Sequence, residues 1–183
     1  MRSPLWARRY IRVAKPGPFA WNYTKTLVQT SILWAVFLFV VPSLISDLEH
    51  DVLDLPTFGR FRALAVVGFC VFGALGLWGG LVMARVGRGT PLPIDTAPVL
   101  VVSGPYRYVR NPMAISAPGQ AVFVSLWLDS TLVLTYAVLA AVAWNHLIRP
   151  PEELDLEERF GEPYRRYRAA VRCWLPRRRG YGP

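Results

Sequence analysis

Two short stretches hold most of the side chains able to do chemistry. The first is SGPYRYVRNPM, Ser103–Met113, which packs Tyr106, Tyr108, Arg107, Arg110, Asn111 and two prolines into eleven residues between strongly apolar parts of the chain. A plain connector does not need that much hydrogen-bonding equipment. Gly104, Pro105 and Pro112 predict a rigid turn that presents backbone and polar side chains to something outside it. The second is Glu152–Glu153, set directly after the last apolar run and close behind Arg149. Carboxylates at that depth are costly and need a partner, and Arg149 is the nearest one in sequence. The two cysteines, Cys70 and Cys173, show no CxxC or Cys/His spacing, so neither a metal site nor a disulfide framework is expected.

The elements that must position these residues are membrane spans. The 183-residue chain is 53% apolar yet carries a formal net charge of +9. That pairing fits a membrane protein with basic ends better than a basic soluble domain that binds nucleic acid, because the Lys and Arg cluster at the ends of apolar runs. Uncharged stretches at residues 27–45 and 63–84 are each long enough to cross a bilayer. A third apolar region, from Pro112 to about Ile148, is long enough for two helices, 113–127 and 131–148, with Leu128–Ser130 as the turn of a hairpin. Pro118–Gly119 predicts a kink or a partial span in its first half. Asp47, Glu49, Asp51 and Asp54 read as an acidic loop after the first span. With four spans, 19 of the 21 basic residues fall on one side, which predicts cytoplasmic termini and a cytoplasmic Ser103–Met113 loop.

GALGLWGG, within residues 63–84, superficially suggests a nucleotide-binding glycine loop. Its place inside a continuous apolar run predicts instead small residues that let helices pack closely in lipid. After Arg149 the chain is charged. Leu156, Phe160, Tyr164, Tyr167, Val171 and Trp174 recur at helical spacing, with Arg165, Arg166, Arg168 and Arg172 opposite, so an amphipathic helix at an anionic lipid surface is expected. Pro150 and Pro151 predict a helix start, and Gly161 followed by Glu162–Pro163 the end of one helix and the start of another. The predicted organisation is all-α: a basic aromatic interfacial arm (1–26, with Trp6, Tyr10, Trp21 and Tyr23 at headgroup depth), a transmembrane helical domain (27–148) with a cytosolic loop (85–111), a cytosolic helical extension (149–176) and a basic tail (177–183).

LVVSGPYRYVRNPM, then an apolar hairpin, then EELDLEERFGEPYRRYRAAVRCWLP resembles the isoprenylcysteine carboxyl methyltransferase and phospholipid methyltransferase superfamily of integral-membrane enzymes. The resemblance covers roughly residues 98–176. It implies an S-adenosylmethionine site built from the last helices and their cytosolic extensions, without a Rossmann fold. On this resemblance Val99, Leu100 and Val101 offer cofactor-binding backbone, and Tyr106 is the tyrosine of a GxY element. Arg110, Asn111, Pro112, Met113 and Ala114 stand at an R-[HN]-P-x-Y element, with alanine where the family has tyrosine. Glu152 and Glu153 match the family's glutamate pair and Arg149 the arginine before it. A carboxylate such as Glu152 can pair the cofactor's ammonium or accept its ribose hydroxyls, the Tyr106 ring can face the sulfonium or the adenine, and Asn111 offers both donor and acceptor. Arg149 can bind an acceptor carboxylate or phosphate. An amine acceptor needs a base, for which His146, Glu153 and Tyr108 are candidates.

The function expected on this reading is methyl transfer to a lipid-embedded or lipid-like acceptor at the cytoplasmic membrane face. The ratio of 19 arginines to 2 lysines points to a bacterial inner membrane. The alternative is a non-catalytic membrane scaffold or partner subunit that keeps the fold. A transporter is disfavoured, because no predicted span carries a mid-membrane charge. The acceptor's identity and the oligomeric state stay open.

Overall fold

The computed structural model describes residues 12–14, 18–53, 55, 59, 61–90 and 95–182. Among these the chain is helical, with no strand longer than an isolated bridge. We label the helices α1 (Phe19–Leu53), α2 (Arg62–Gly87), α3 (Pro112–Leu128), α4 (Thr131–Phe160) and α5 (Glu162–Ala170). Three of them, α1, α2 and α4, are long and apolar enough to cross a membrane, whereas α3 is a shorter apolar helix of 17 residues. Their surfaces are inside-out relative to a soluble protein. Val28, Ile32, Phe39, Val67, Val71 and Leu139 are exposed, while Asn22, Thr26, Thr30, Ser116 and Gln120 are buried. Such an exterior is stable only against lipid, and the polar interior supplies contacts between helices.

The tightest packing is between α2 and α3. Gly68, Gly73, Gly76, Gly79 and Gly80 form the buried face of α2. A Cβ on Gly68 would fall 2.2 Å from the Phe123 ring, and one on Gly76 would fall 2.4 Å from Ser116 Oγ. The glycines are therefore a groove that lets another backbone approach, as their placement in an apolar run predicts. Ser116 Oγ donates across the groove to the Phe72 carbonyl at 2.7 Å. The pairs Gly68–Phe123 and Gly79–Pro112 run in opposite order along the two helices, so α3 lies antiparallel beside α2.

Both long terminal helices extend past the predicted spans. α1 begins at Phe19, inside the segment expected to be an arm, and runs on through Asp47, Glu49 and Asp51, which were expected in a loop. Nothing in that stretch breaks a helix, and Glu49 is fully buried because it finds donors at the start of α4. Its carboxylate accepts from the Ser130 hydroxyl and from the backbone N–H groups of Thr131 and Leu132, the latter two at 2.9 and 3.0 Å. Ser130 in turn caps α4 by accepting from Val133 N–H. This polar knot ties the end of α1 to the α3–α4 turn, where Asp129 adopts a left-handed conformation (φ 58°). Trp6, Tyr10 and Asp54 lie outside the described residues; of the arm's other aromatics, Trp21 is exposed on the first turn of α1.

α4 does not stop at Pro150–Pro151 but continues to Phe160. A proline removes a helix donor and crowds the carbonyl four residues back. The chain absorbs this with a wide π-helical turn over Trp144–Ile148, in which Arg149 N–H reaches back to the Trp144 carbonyl. The same device precedes Pro42 in α1, where Ala35–Val40 is π-helical and Val41 N–H bonds Val36. Gly161, at φ +56°, then turns the chain from α4 into α5.

Candidate functional site

The Ser103–Met113 loop and the C-terminal segment meet at the end of the bundle remote from Glu49. Residues 104–107 form a 3₁₀ turn entered through Gly104 at φ +57°. The segment after α5 runs alongside the loop: Arg110 N–H bonds the Arg172 carbonyl at 3.0 Å, Arg177 N–H bonds Tyr108 at 2.9 Å, and Tyr181 N–H bonds Arg107 at 2.8 Å. Arg107 Nε returns a bond to the Tyr181 carbonyl at 2.7 Å, so its role is to hold the tail. Beneath this contact Tyr164, Tyr167 and Val171 form a small core with Leu100, Leu156 and Phe160 packed on it. The apolar spacing expected in the tail thus builds a real face, although the helix ends at Ala170 and Val171 reaches the core from extended chain.

The loop, the start of α3 and the last turns of α4 enclose a cavity of about 150 Å³. Nine of the expected site residues line it: Val99, Leu100, Val101, Tyr106, Asn111, Met113 and Glu152, expected to bind the cofactor, and Arg149 and Glu153, expected to act on the acceptor. Pro112, Ala114 and His146 do not. Pro112 is buried at the start of α3 beside Gly79. Ala114 donates its N–H to Asn111 Oδ1 at 3.0 Å, which makes Asn111 the N-cap of α3 and leaves its amide NH₂ uncommitted among the described residues. His146 is exposed. In a regular α-helix, residues seven apart return to one face, which would set His146 near Glu153; the π turn shifts that register, and Asn145 takes the place under Arg149.

The cavity's charges are unevenly paired. Glu153 Oε1 is held by Arg149 Nε at 2.7 Å and by Arg110 Nη1 at 3.0 Å. Asp155 pairs with Arg159 at 2.7 Å, and Arg159 also donates to the Ala97 carbonyl. Glu152, between them, makes no ion pair or hydrogen bond among the described residues. Arg110 is nearly buried, and its Nε and Nη1 have no hydrogen-bond acceptor among the described residues, its contact with Glu153 being close in distance but off hydrogen-bond geometry. Arg149 Nη1 and Trp174 Nε1 both donate to Asn145 Oδ1, at 2.9 and 2.8 Å, so the tail helps to fix the arginine that fixes Glu153.

Three phenols border this space. Tyr106 is buried, its hydroxyl 3.4 Å from the Gly79 carbonyl, and its own carbonyl accepts from the Tyr167 hydroxyl at 2.7 Å. Burial pushes the Tyr106 phenol well above the usual range and the Glu152 carboxylate adds to this. Burial likewise raises Tyr164, with Glu153 contributing, and Tyr167, with Tyr106 contributing. All three stay neutral and act as donors and walls. The Cys173 thiol also lines the cavity and is pushed up by burial, against the opposing pull of Arg149, so it is a small apolar filler at neutral pH.

Reading the sequence alone did not assign Arg110, Asp155, Arg159, Tyr164 or Tyr167 to the site. Arg110 sits inside the quoted loop motif, and the two tyrosines lie on the periodic face, so those three had a signal. Asp155 and Arg159 had none beyond an i,i+4 spacing that any solvated helix can show.

A family model for phospholipid methyltransferase matches residues 65–163, a little over half of the chain. An uncharacterized protein of Haemophilus influenzae is 37% identical over 51 residues, which is 28% of this chain and 81% of that protein. No solved structure matches significantly.

Proposed function

Because the chain belongs to the phospholipid methyltransferase family, we propose that it is an integral-membrane, S-adenosylmethionine-dependent methyltransferase acting on a lipid-embedded or lipid-like acceptor. The observation that carries this reading is Glu152, a carboxylate without a cationic partner among the described residues, in a cavity whose other carboxylates are each clamped by arginine. An unpaired carboxylate there favours a cationic ligand, and the cofactor brings both an ammonium and a sulfonium.

The residues present fit the group. Glu152 pairs its ammonium or accepts its ribose hydroxyls. Arg110 Nε, which has no acceptor among the described residues, and the NH₂ of Asn111 suit a carboxylate. Val99, Leu100 and Val101 offer backbone and Leu156 an apolar wall for the adenine. S-adenosylmethionine supplies the methyl as an electrophilic carbon on a sulfonium that departs as a neutral thioether. The chain's own task is then alignment in a dry site, and orientation alone is worth roughly 7–11 kcal/mol. Glu153, held by Arg149 and Arg110, is committed to positioning Arg149. Arg149 keeps Nη2 uncommitted among the described residues and can bind an acceptor carboxylate or phosphate. A carboxylate acceptor needs no base, and this reading makes no use of the exposed His146.

The charge asymmetry supports a cytoplasmic cavity and cytoplasmic termini in a bacterial inner membrane, with α3 as a fourth, short crossing. The acceptor then enters from the bilayer and the cofactor from the cytosol. Calorimetric titration of S-adenosylmethionine into the detergent-purified protein tests the proposal. Micromolar binding by the wild type, lost in Glu152→Ala and weakened in Asn111→Ala, is expected. A folded wild type that binds none would leave a helical scaffold of the same family.

A further inference from the structure

The arginines of the C-terminal region fall into two groups. Arg165, Arg166 and Arg168, on α5, face Glu157 or Glu162. Arg172, Arg178 and Arg179 are exposed, and among the described residues none of the three has an acidic partner. All three belong to a non-helical segment tied to the Ser103–Met113 loop by backbone bonds at residues 172, 177 and 181. Three cations without an acidic partner among the described residues, on a segment tied down at three backbone positions, are a built feature rather than a solvated run.

The depth of the segment is set by Trp174. Its ring meets Trp144 edge-on, 5.5 Å between centroids, and its Nε1 bonds Asn145. Those partners lie where the apolar part of α4 gives way to Arg149 and the charged turns, which is headgroup depth for a spanning helix. Beside Trp174, Leu175 is 59% exposed. An outward leucine and an aromatic pair flanked by unpaired arginines form the profile of a segment lying in a membrane interface.

We propose that Arg172–Arg179 is a docking rim for anionic phospholipid headgroups of the leaflet at the cavity end, binding their phosphates through Arg172, Arg178 and Arg179. The commitment to lipid over soluble phosphate follows from Leu175 and the Trp174–Trp144 pair, which a soluble anion would not use. The proposal does not depend on methyltransferase activity, and its test reads none.

The full-length protein in mild detergent, incubated with mixtures of phosphatidylglycerol and phosphatidylcholine, is examined by native mass spectrometry for retained lipid. Wild type is expected to retain phosphatidylglycerol preferentially and to lose the preference as salt rises. The triple variant Arg172→Gln/Arg178→Gln/Arg179→Gln is expected to lower phosphatidylglycerol affinity about a hundredfold, from the attraction of each basic residue near an anionic surface. The corresponding triple Lys variant should restore most of it, and Arg165→Gln/Arg166→Gln should leave it unchanged. If the Gln variant does not fold, the Lys variant and the wild-type salt titration decide. Unchanged retention in a folded Gln variant, no salt dependence, or displacement of phosphatidylglycerol by equimolar inorganic phosphate would overturn the proposal.

Discussion

Glu49 and Glu152 are two carboxylates withdrawn from bulk water at opposite ends of α4, roughly 30 Å apart at 1.5 Å per helical residue. Glu49, at the α3–α4 turn, is saturated: a hydroxyl and two backbone N–H groups converge on it. Glu152, in the cavity, has neighbours of its own sign and no ion-pair or hydrogen-bond partner among the described residues. A saturated buried carboxylate does structural work, because every lone pair it uses satisfies a donor that would otherwise be orphaned. An unsatisfied one costs stability, and a fold keeps it where a ligand completes it. The same residue type thus holds the hairpin at one end and, on the proposed function, receives a cation at the other.

The sharpest way to break this comparison is to remove Glu49. Glu49→Ala leaves Ser130 and two helix N-terminal donors without their acceptor and is expected to destabilise the protein by about 3 kcal/mol, read from thermal unfolding in detergent. Glu49→Gln, which keeps an acceptor, should lose less; a wild-type-like Glu49→Ala would end the structural assignment. Next in size, Glu152→Gln should raise the Kd for S-adenosylmethionine about a hundredfold while leaving the unfolding temperature nearly unchanged, because burial, with Glu153 and Asp155 beside it, pushes the Glu152 carboxyl up to about 8 and leaves it largely protonated near pH 7 until a cation binds. Should Glu152→Gln unfold as readily as Glu49→Ala, the two ends would not differ in kind.

Smaller effects locate what lies between the two ends. Gly76→Ala drives a methyl against Ser116 and is expected to cost about 1–3 kcal/mol, largely recovered in Gly76→Ala/Ser116→Gly. A failure of that rescue would mean α2 and α3 do not meet at this groove. The smallest expected change is Trp174→Phe. It keeps the ring against Trp144 but loses the bond to Asn145, about 1 kcal/mol, or a few-fold in cofactor Kd through Arg149. A titration indistinguishable from wild type would detach the tail from the cavity.

The helical class, the apolar spans, the glycine face and the turn at Gly161 were legible in the chain because each rests on local composition or periodicity. Nine of the cavity's twenty lining residues were legible too, through the family resemblance of the loop motif, the segment before it and the glutamate pair. What was not legible depended on distance in sequence. Asp47, Glu49 and Asp51 read as a loop because nothing near them satisfies a buried charge; the donors for Glu49 lie about eighty residues away at Ser130–Leu132. His146 read as a candidate base from its residue type and its place just before Arg149, and its exposure depends on the direction in which the π-helical turn ahead of Pro150 sends each side chain.

Sequence alone determined that this protein is a helical membrane protein whose hydrogen-bonding and charged side chains gather at the loop after α2 and the turns after Arg149. Hydropathy, length and charge asymmetry act through local interaction with lipid and water, and they survive whatever the helices do next. Only the tertiary structure decided which carboxylate is satisfied and which is not. Arg149 pairs with Glu153 rather than Glu152, Arg110 joins them from another element, and Trp174 sets the arginine through Asn145. Pairing among neighbouring charges is a matter of a few ångströms and of side-chain direction, and those are fixed only when the loop, the last span and the tail are packed against one another.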